Sequence, residues 1–174
     1  MRILQPDAVV TGDTEAFAAV CNILWAEREM LETLLFKLVE ENSILTSGST
    51  RWLNRADAEV RAAVDQLRAA EIMRAAEVES LALVLNLPVE TTLAQLAEVA
   101  PQPWPPVLTQ HRWALRALMQ EIEAVTADNR RMLEAGSKAI RETLENLVAP
   151  TGTYNSHGSA ASRLRAPILL DQQA

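Results

Sequence analysis

Residues 17–45 read FAAVCNILWAEREMLETLLFKLVEENSIL, with no glycine or proline among them. Phe17, Leu24, Leu31, Leu38 and Leu45 recur every seven residues. Val20 and Leu34 take two of the positions between them, and Glu27 and Glu41 take the other two. Steps of three and four place all of these on one face of an α-helix, the spacing of a coiled-coil seam with two acidic interruptions. Asp13 or Thr14 offers a side-chain oxygen to cap the start, and Gly48 after Thr46-Ser47 supplies a stop. The spacing predicts a helix over 13–47, about 50 Å long, after a loose leader over 1–12 that holds Pro6 and Gly12.

Two more long helices follow. The second starts near 50–54 and runs to Asn86, with Val60, Val64, Leu67, Val78, Leu81 and Leu85 as its stripe. Glu71 and Arg74 fall where that stripe should be apolar. Three apart, they can pair with each other as a solvated patch; alternatively they form an ion pair between helices that fixes register. Leu87-Pro88 is read as the stop, because the residue before proline disfavours the helical conformation. Residues 91–99 make a short helical turn with Thr91 as its cap. Pro101, Pro103, Pro105 and Pro106 around Trp104 predict a polyproline-like connector over 101–106. Trp104 is expected to tuck against a helix end, with peptide recognition as the alternative.

The third long helix, 107–149, carries Leu115, Leu118, Ile122, Val125, Leu133, Ile140, Leu144 and Leu147. Asn129 lies in this stripe, where a buried amide pins pairing register. Gly136 lies mid-stripe and either admits a close neighbour or weakens the helix. Pro150-Thr151-Gly152 ends it, and a flexible tail over 150–174 is expected, polar apart from Tyr154 and the run Ala166-Pro167-Ile168-Leu169-Leu170. The fold class is all-α: an elongated antiparallel three-helix hairpin or bundle with coiled-coil-like packing. The helical domain spans 13–149.

Composition narrows the function. At 174 residues the chain fits one domain. Ala, Leu, Glu and Arg dominate, all good helix formers. A net charge of −7 argues against nucleic acid and against anionic membrane surfaces. Cys21 is the one cysteine, so no internal disulfide forms, and its place on the stripe beside Val20 and Leu24 reads as a small core thiol. No signal peptide is visible and no 18-residue apolar window exists, so a soluble, cytoplasmic protein without membrane insertion is expected.

Catalytic chemistry is not legible. The two histidines, His111 and His157, belong to no helical metal-ligand pairing, so no metal is expected. His111 opens a helix beside Arg112 and lacks the setting of a phosphorelay histidine. There is no glycine-rich phosphate loop and no nucleophile elbow. The carboxylates are interleaved with lysine and arginine, as on solvated faces. No cofactor and no enzymatic activity are expected.

Several segments together resemble the FlgN family of flagellar type III export chaperones. The first helix, with Leu31, Leu34 and Leu35 before Leu38-Val39-Glu40-Glu41, is similar to the family's opening. Glu71, Arg74, Val78 and Leu81-Ala82 resemble its second helix. Asn129 with Leu133 resembles its Asn-x-x-x-Leu segment, and Tyr154 followed by Gly158 its tail motif. The chain departs from the pattern at Thr126, where a second asparagine is usual, and at Asn155-Ser156-His157, where an acidic turn is usual. The resemblance covers about residues 15–158.

That resemblance implies a chaperone that binds hook–filament junction proteins before secretion, shields their terminal helices and delivers them to the export gate. It implies client binding through the C-terminal part of the chain, and gate docking through the tail tyrosine. The expected client-contact residues are Leu133, Ile140, Leu144 and Leu147; the expected contacts with the export-gate cytoplasmic domain are Tyr154 and Gly158. The rival for the 133–147 stripe is that it packs into the bundle. The alternative function is a structural coiled-coil scaffold without client transfer; either reading is compatible with a homodimer.

Overall fold

The computed structural model describes residues 6–88, 90–148, 153–154 and 160–161, with side chains over 14–88 and 90–147. The elements are α1 (Pro6–Ser47), a 3-10 turn (Thr50–Trp52), α2 (Leu53–Val84), α3 (Leu93–Val99), α4 (Trp104–Val148), and the two-residue strands β1 (Thr153–Tyr154) and β2 (Ala160–Ala161). The all-α expectation holds. No helix among the described residues is long and apolar enough to cross a membrane.

The chain divides into two compact units, Met1–Met132 and Leu133–Ala174. In the first, α2 runs antiparallel to α1. Lys37 Nζ lies 2.8 Å from Glu59 Oε2, and Arg74 Nε lies 2.8 Å from Glu27 Oε2. The α4 helix runs parallel to α1 in constant register. Phe17 stacks on Trp104 at 6.2 Å, Trp25 meets His111 edge-on at 4.8 Å, Asn42 bonds Asn129 at 2.7 Å and Thr46 reaches Met132 Sδ at 3.7 Å. An α1 residue therefore faces the α4 residue 86 or 87 positions later.

The predicted α1 seam is the core. Phe17, Val20, Cys21 and Leu24 pack with Val78 and Leu81 of α2, Leu96 of α3 and Leu108 of α4. Further along, Leu31, Leu34 and Leu38 pack with Ala63, Leu67 and Ile122. Ala56, Ala63 and Ala70, spaced by seven, are buried on α2 beside its predicted stripe. Alanine there keeps the α1–α2 seam thin. Its weak hydrophobicity is the reason the sequence pattern did not single it out.

Several boundaries differ from expectation. The α1 helix begins at Pro6 and takes in Gly12, where a leader was expected. Proline at the first helical position lacks only an N–H that the helix does not use, and one interior glycine costs about 1 kcal/mol. The α2 stop is made by Asn86, not by Leu87-Pro88. Asn86 has φ 55°, Leu87 N–H donates to Ala82 O at 2.8 Å and Asn86 N–H to Leu83 O at 3.2 Å, a Schellman closure. Gly48, with φ 69°, closes α1 in the same way, as expected.

At α3 the cap is Thr92, not Thr91. Thr92 Oγ1 accepts from Gln95 N–H, and Gln95 Oε1 accepts from Thr92 N–H, a full capping box. Thr91 is buried and donates its hydroxyl to Pro88 O. The connector is shorter than the proline count implied. Pro105 and Pro106 lie in the first turn of α4, where no N–H is needed, and Trp104, expected to tuck against a helix end, stacks on Phe17 well inside α1.

In the second unit, α4 continues to Val148. β1 and β2 pair antiparallel, Thr153 with Ala161 and Tyr154 with Ala160.

Candidate functional site

The site is built on one face of α4. At 100° per residue, Leu115, Leu118, Ile122, Val125, Asn129, Leu133, Gly136, Ile140, Leu144 and Leu147 fall within an arc of about 100°. In the first unit this face is covered. Ile122 and Asn129 are buried, and Leu115, Leu118 and Val125 are partly buried against α1 and α2. From 130 to 147 every residue is exposed. Leu133 is 39% exposed, Leu144 56%, Ile140 64% and Leu147 76%. None of these four side chains is buried. A Cβ placed on Gly136 meets nothing within 4 Å, so no neighbour within the chain requires glycine there.

The stripe is flanked by charge of both signs. Glu134, Lys138, Arg141 and Glu145 follow one another at steps of three and four along one side. A shallow groove lined by Leu133, Glu134, Ser137, Lys138 and Arg141 runs beside it. Lys138 Nζ lies 3.8 Å from Glu142, a loose pair. Such a surface offers apolar area at its centre and adjustable ion pairs at its edge, as a helix-binding face needs. Among the described residues no group of His, Cys, Asp and Glu is arranged to hold a metal.

Where the covered face ends, polar groups fix the register. Asn129, 3% exposed, donates through Nδ2 to Glu41 Oε2 and to Leu38 O, both at 2.9 Å, and accepts from Asn42 Nδ2 at 2.7 Å. The amide predicted to pin register does so, with Glu41 from the predicted α1 seam as its partner. The other seam glutamate, Glu27, faces Arg74. The pair expected between Glu71 and Arg74 is not formed; Glu71 is exposed and Arg74 reaches across to α1. Burial pushes the Glu27 carboxyl up, against the opposing pull of the Arg74 charge. The 2.8 Å contact makes the two an ion pair. His111 is buried with no hydrogen-bond partner at either ring nitrogen. Burial, helped by the Arg28 charge, holds its imidazole below the ordinary value of 6.5.

A family model described as FlgN protein matches residues 16–162. The chain belongs to the FlgN family. This is a family of flagellar export chaperones, so membership implies that the protein binds flagellar client proteins. No curated protein and no solved structure matches the chain.

The residues that carried the FlgN resemblance have different surroundings. Arg74, Val78, Leu81, Ala82 and Asn129 serve the packed unit, whereas Leu133 begins the exposed stripe. The Tyr154 backbone lies in β1 opposite Ala160. Gly158 lies outside the described residues. Sequence reasoning missed the small-residue track Ala56, Ala63 and Ala70; its spacing of seven was the available signal.

Proposed function

We propose that this protein is a cytoplasmic flagellar secretion chaperone whose clients are hook–filament junction proteins. The stripe of Leu133, Ile140, Leu144 and Leu147 covers an apolar helix of the client and keeps it from assembling early. The client is then handed to the cytoplasmic domain of the export gate, with Tyr154 and Gly158 as the docking residues. One observation carries this reading: a single α4 face is covered as far as Asn129 and exposed beyond it, in a chain of the FlgN family. A filament subunit's terminal helix exposes a long stripe of its own, and pairing two stripes removes both from water.

The test is Ile140→Ser with Leu144→Ser in the full chain. Both side chains are more than half exposed, so far-UV circular dichroism and Tm should stay close to those of the parent. Affinity for the junction protein should fall about tenfold or more, since covering each side chain contributes about 1 kcal/mol. Undiminished affinity sinks the proposal. If the pair of substitutions instead abolishes only self-association in sedimentation, the stripe serves a scaffold. For the tail, Tyr154→Ala should leave client affinity unchanged and weaken binding to the export-gate domain; unchanged gate binding refutes that role.

A further inference from the structure

The exposed stripe of α4 is not uniform along its length. A side chain from a facing helix enters a hole formed by four residues at i, i+3, i+4 and i+7. On this face one such hole is made by Leu133, Gly136, Ser137 and Ile140, and another by Ile140, Thr143, Leu144 and Leu147. The second has Thr143 and Leu144 as its sides and is shallow. The first has only glycine and serine as its sides, between Leu133 and Ile140 at its ends. A Cβ built on Gly136 meets nothing within 4 Å, so the gap is empty among the described residues.

Glycine weakens a helix interior relative to alanine, and no contact among the described residues offsets that cost. Close crossing of two backbones does not account for it. Such crossings take small residues one turn apart on one face, and the residues four before and four after Gly136 are Met132 and Ile140. Leu133 and Ile140 hold a facing backbone off and leave the hole for a side chain.

Charge adds direction. Beside the hole, Leu133, Glu134, Ser137, Lys138 and Arg141 line the shallow groove. On the opposite side Ala139 and Thr143 carry no charge. Lys138 lies 3.8 Å from Glu142, whereas Arg141 meets no carboxylate among the described residues. A second copy fits this surface badly. In antiparallel self-pairing, Leu144 of the copy reaches Gly136 only when Ile140 faces Ile140; Arg141 then lies near Arg141, and Glu134 near Glu145. Parallel self-pairing in register sets hole over hole and fills neither.

We propose that the hole over Gly136 and Ser137 is the specificity pocket of the client site. It takes one large apolar side chain from a helix of the client, and that helix carries a carboxylate within a turn of this knob, paired with Arg141. This rests on the stripe being the client site. A helix with a small residue at the knob position leaves the gap unfilled, and one with a basic residue beside it meets Arg141; both are rejected relative to the client.

The test measures affinity for the junction protein by calorimetry with Gly136→Leu, Gly136→Ala and Arg141→Glu, each in the full chain, beside the chain carrying Ile140→Ser and Leu144→Ser. Leucine and alanine are better helix formers than glycine, so circular dichroism and Tm should be kept or raised. Gly136→Leu should nevertheless weaken client binding about tenfold or more, the cost of overpacking a fitted site, and Gly136→Ala about threefold. Arg141→Glu should weaken it about threefold or more and reduce its salt dependence. A featureless apolar face gives the opposite sign, because leucine adds apolar area and would tighten binding. Tighter or unchanged binding by Gly136→Leu overturns the proposal; should that variant self-associate in sedimentation, Gly136→Ala decides in the same way. The client reading stands in that case if the double serine variant has lost affinity. Unchanged affinity in the double serine variant sinks the client reading and the pocket with it. Unchanged binding by Arg141→Glu overturns the carboxylate pairing.

Discussion

The acidic breaks in the α1 seam are legible in sequence as interruptions, but their partners are not. Glu27 meets Arg74 and Glu41 meets Asn129. Only the packing of α1 against α2 and α4 brings these residues together, and no spacing along one helix encodes that. The local pair Glu71–Arg74 is the natural reading of a single helix; Arg74 instead follows the alternative, an ion pair between helices, with Glu27 as its partner. Asn129 gives a sharp test. Asn129→Asp replaces the donor on Glu41 by a second carboxylate and should destabilise the protein by about 3 kcal/mol in urea titrations at neutral pH. Because the new carboxyl is held protonated more readily in the folded state, its penalty should shrink as pH falls toward 5. A loss that does not change with pH would remove the pairing with Glu41. His111 titrates with the opposite sign. Its folded value lies below 6.5, so the unfolded chain takes up the proton first and stability present above 6.5 is lost as pH falls below it. His111→Leu should therefore hold its stability better than the parent between pH 7 and pH 5, with Glu27 common to both chains. Parallel stability curves would show that His111 does not titrate on unfolding.

At the scale of the element, the seam of seven-residue steps announced α1 and the stripes announced α2 and α4, because periodic burial is what a helix of a bundle must satisfy. Ends were harder. Proline was read as a breaker at 101–106, although Pro105 and Pro106 lie in the first turn of α4, and a start at 13 was inferred from a capping residue type that falls inside the longer helix. Such errors come from local rules that allow more than one outcome: proline stops a helix from within but starts one readily. Gly136 sits on the exposed stripe with no neighbour near its Cβ position. Gly136→Ala should raise stability of this part of α4 by about 1 kcal/mol, seen as slower amide exchange over the flanking turns. Faster or unchanged exchange would mean that glycine is needed there by the backbone itself.

In the packed unit, two apolar clusters share α1, one around Phe17 and Leu24 and one around Leu31 and Leu38, with the Glu27–Arg74 pair between them. The pair is the joint at which the clusters are held in step. Arg74→Met leaves a carboxylate only 7% exposed without its counter-ion. It should cost about 2 kcal/mol, toward the low end for a buried pair because Arg74 is itself about one-third exposed. Tryptophan fluorescence, to which Trp104 packed against the first cluster contributes, should then melt before circular dichroism does; coincident curves would show that the clusters do not depend on this joint. The candidate site was legible as a stripe of apolar residues, yet its exposure was not, because periodicity along one helix does not say which stretch of a face meets a neighbour. The parallel register of α1 and α4 has a further consequence during synthesis. The α1 side that faces α4 waits for residues made 86 or 87 positions later. At ribosomal rates that is about 4–17 s with Phe17, Leu24 and Leu31 only half sheltered by α2. Over that interval the Glu41 carboxylate, set into the nascent seam, makes pairing with a neighbouring nascent chain electrostatically unfavourable until Asn129 emerges, whereas Glu27 already faces Arg74 of α2.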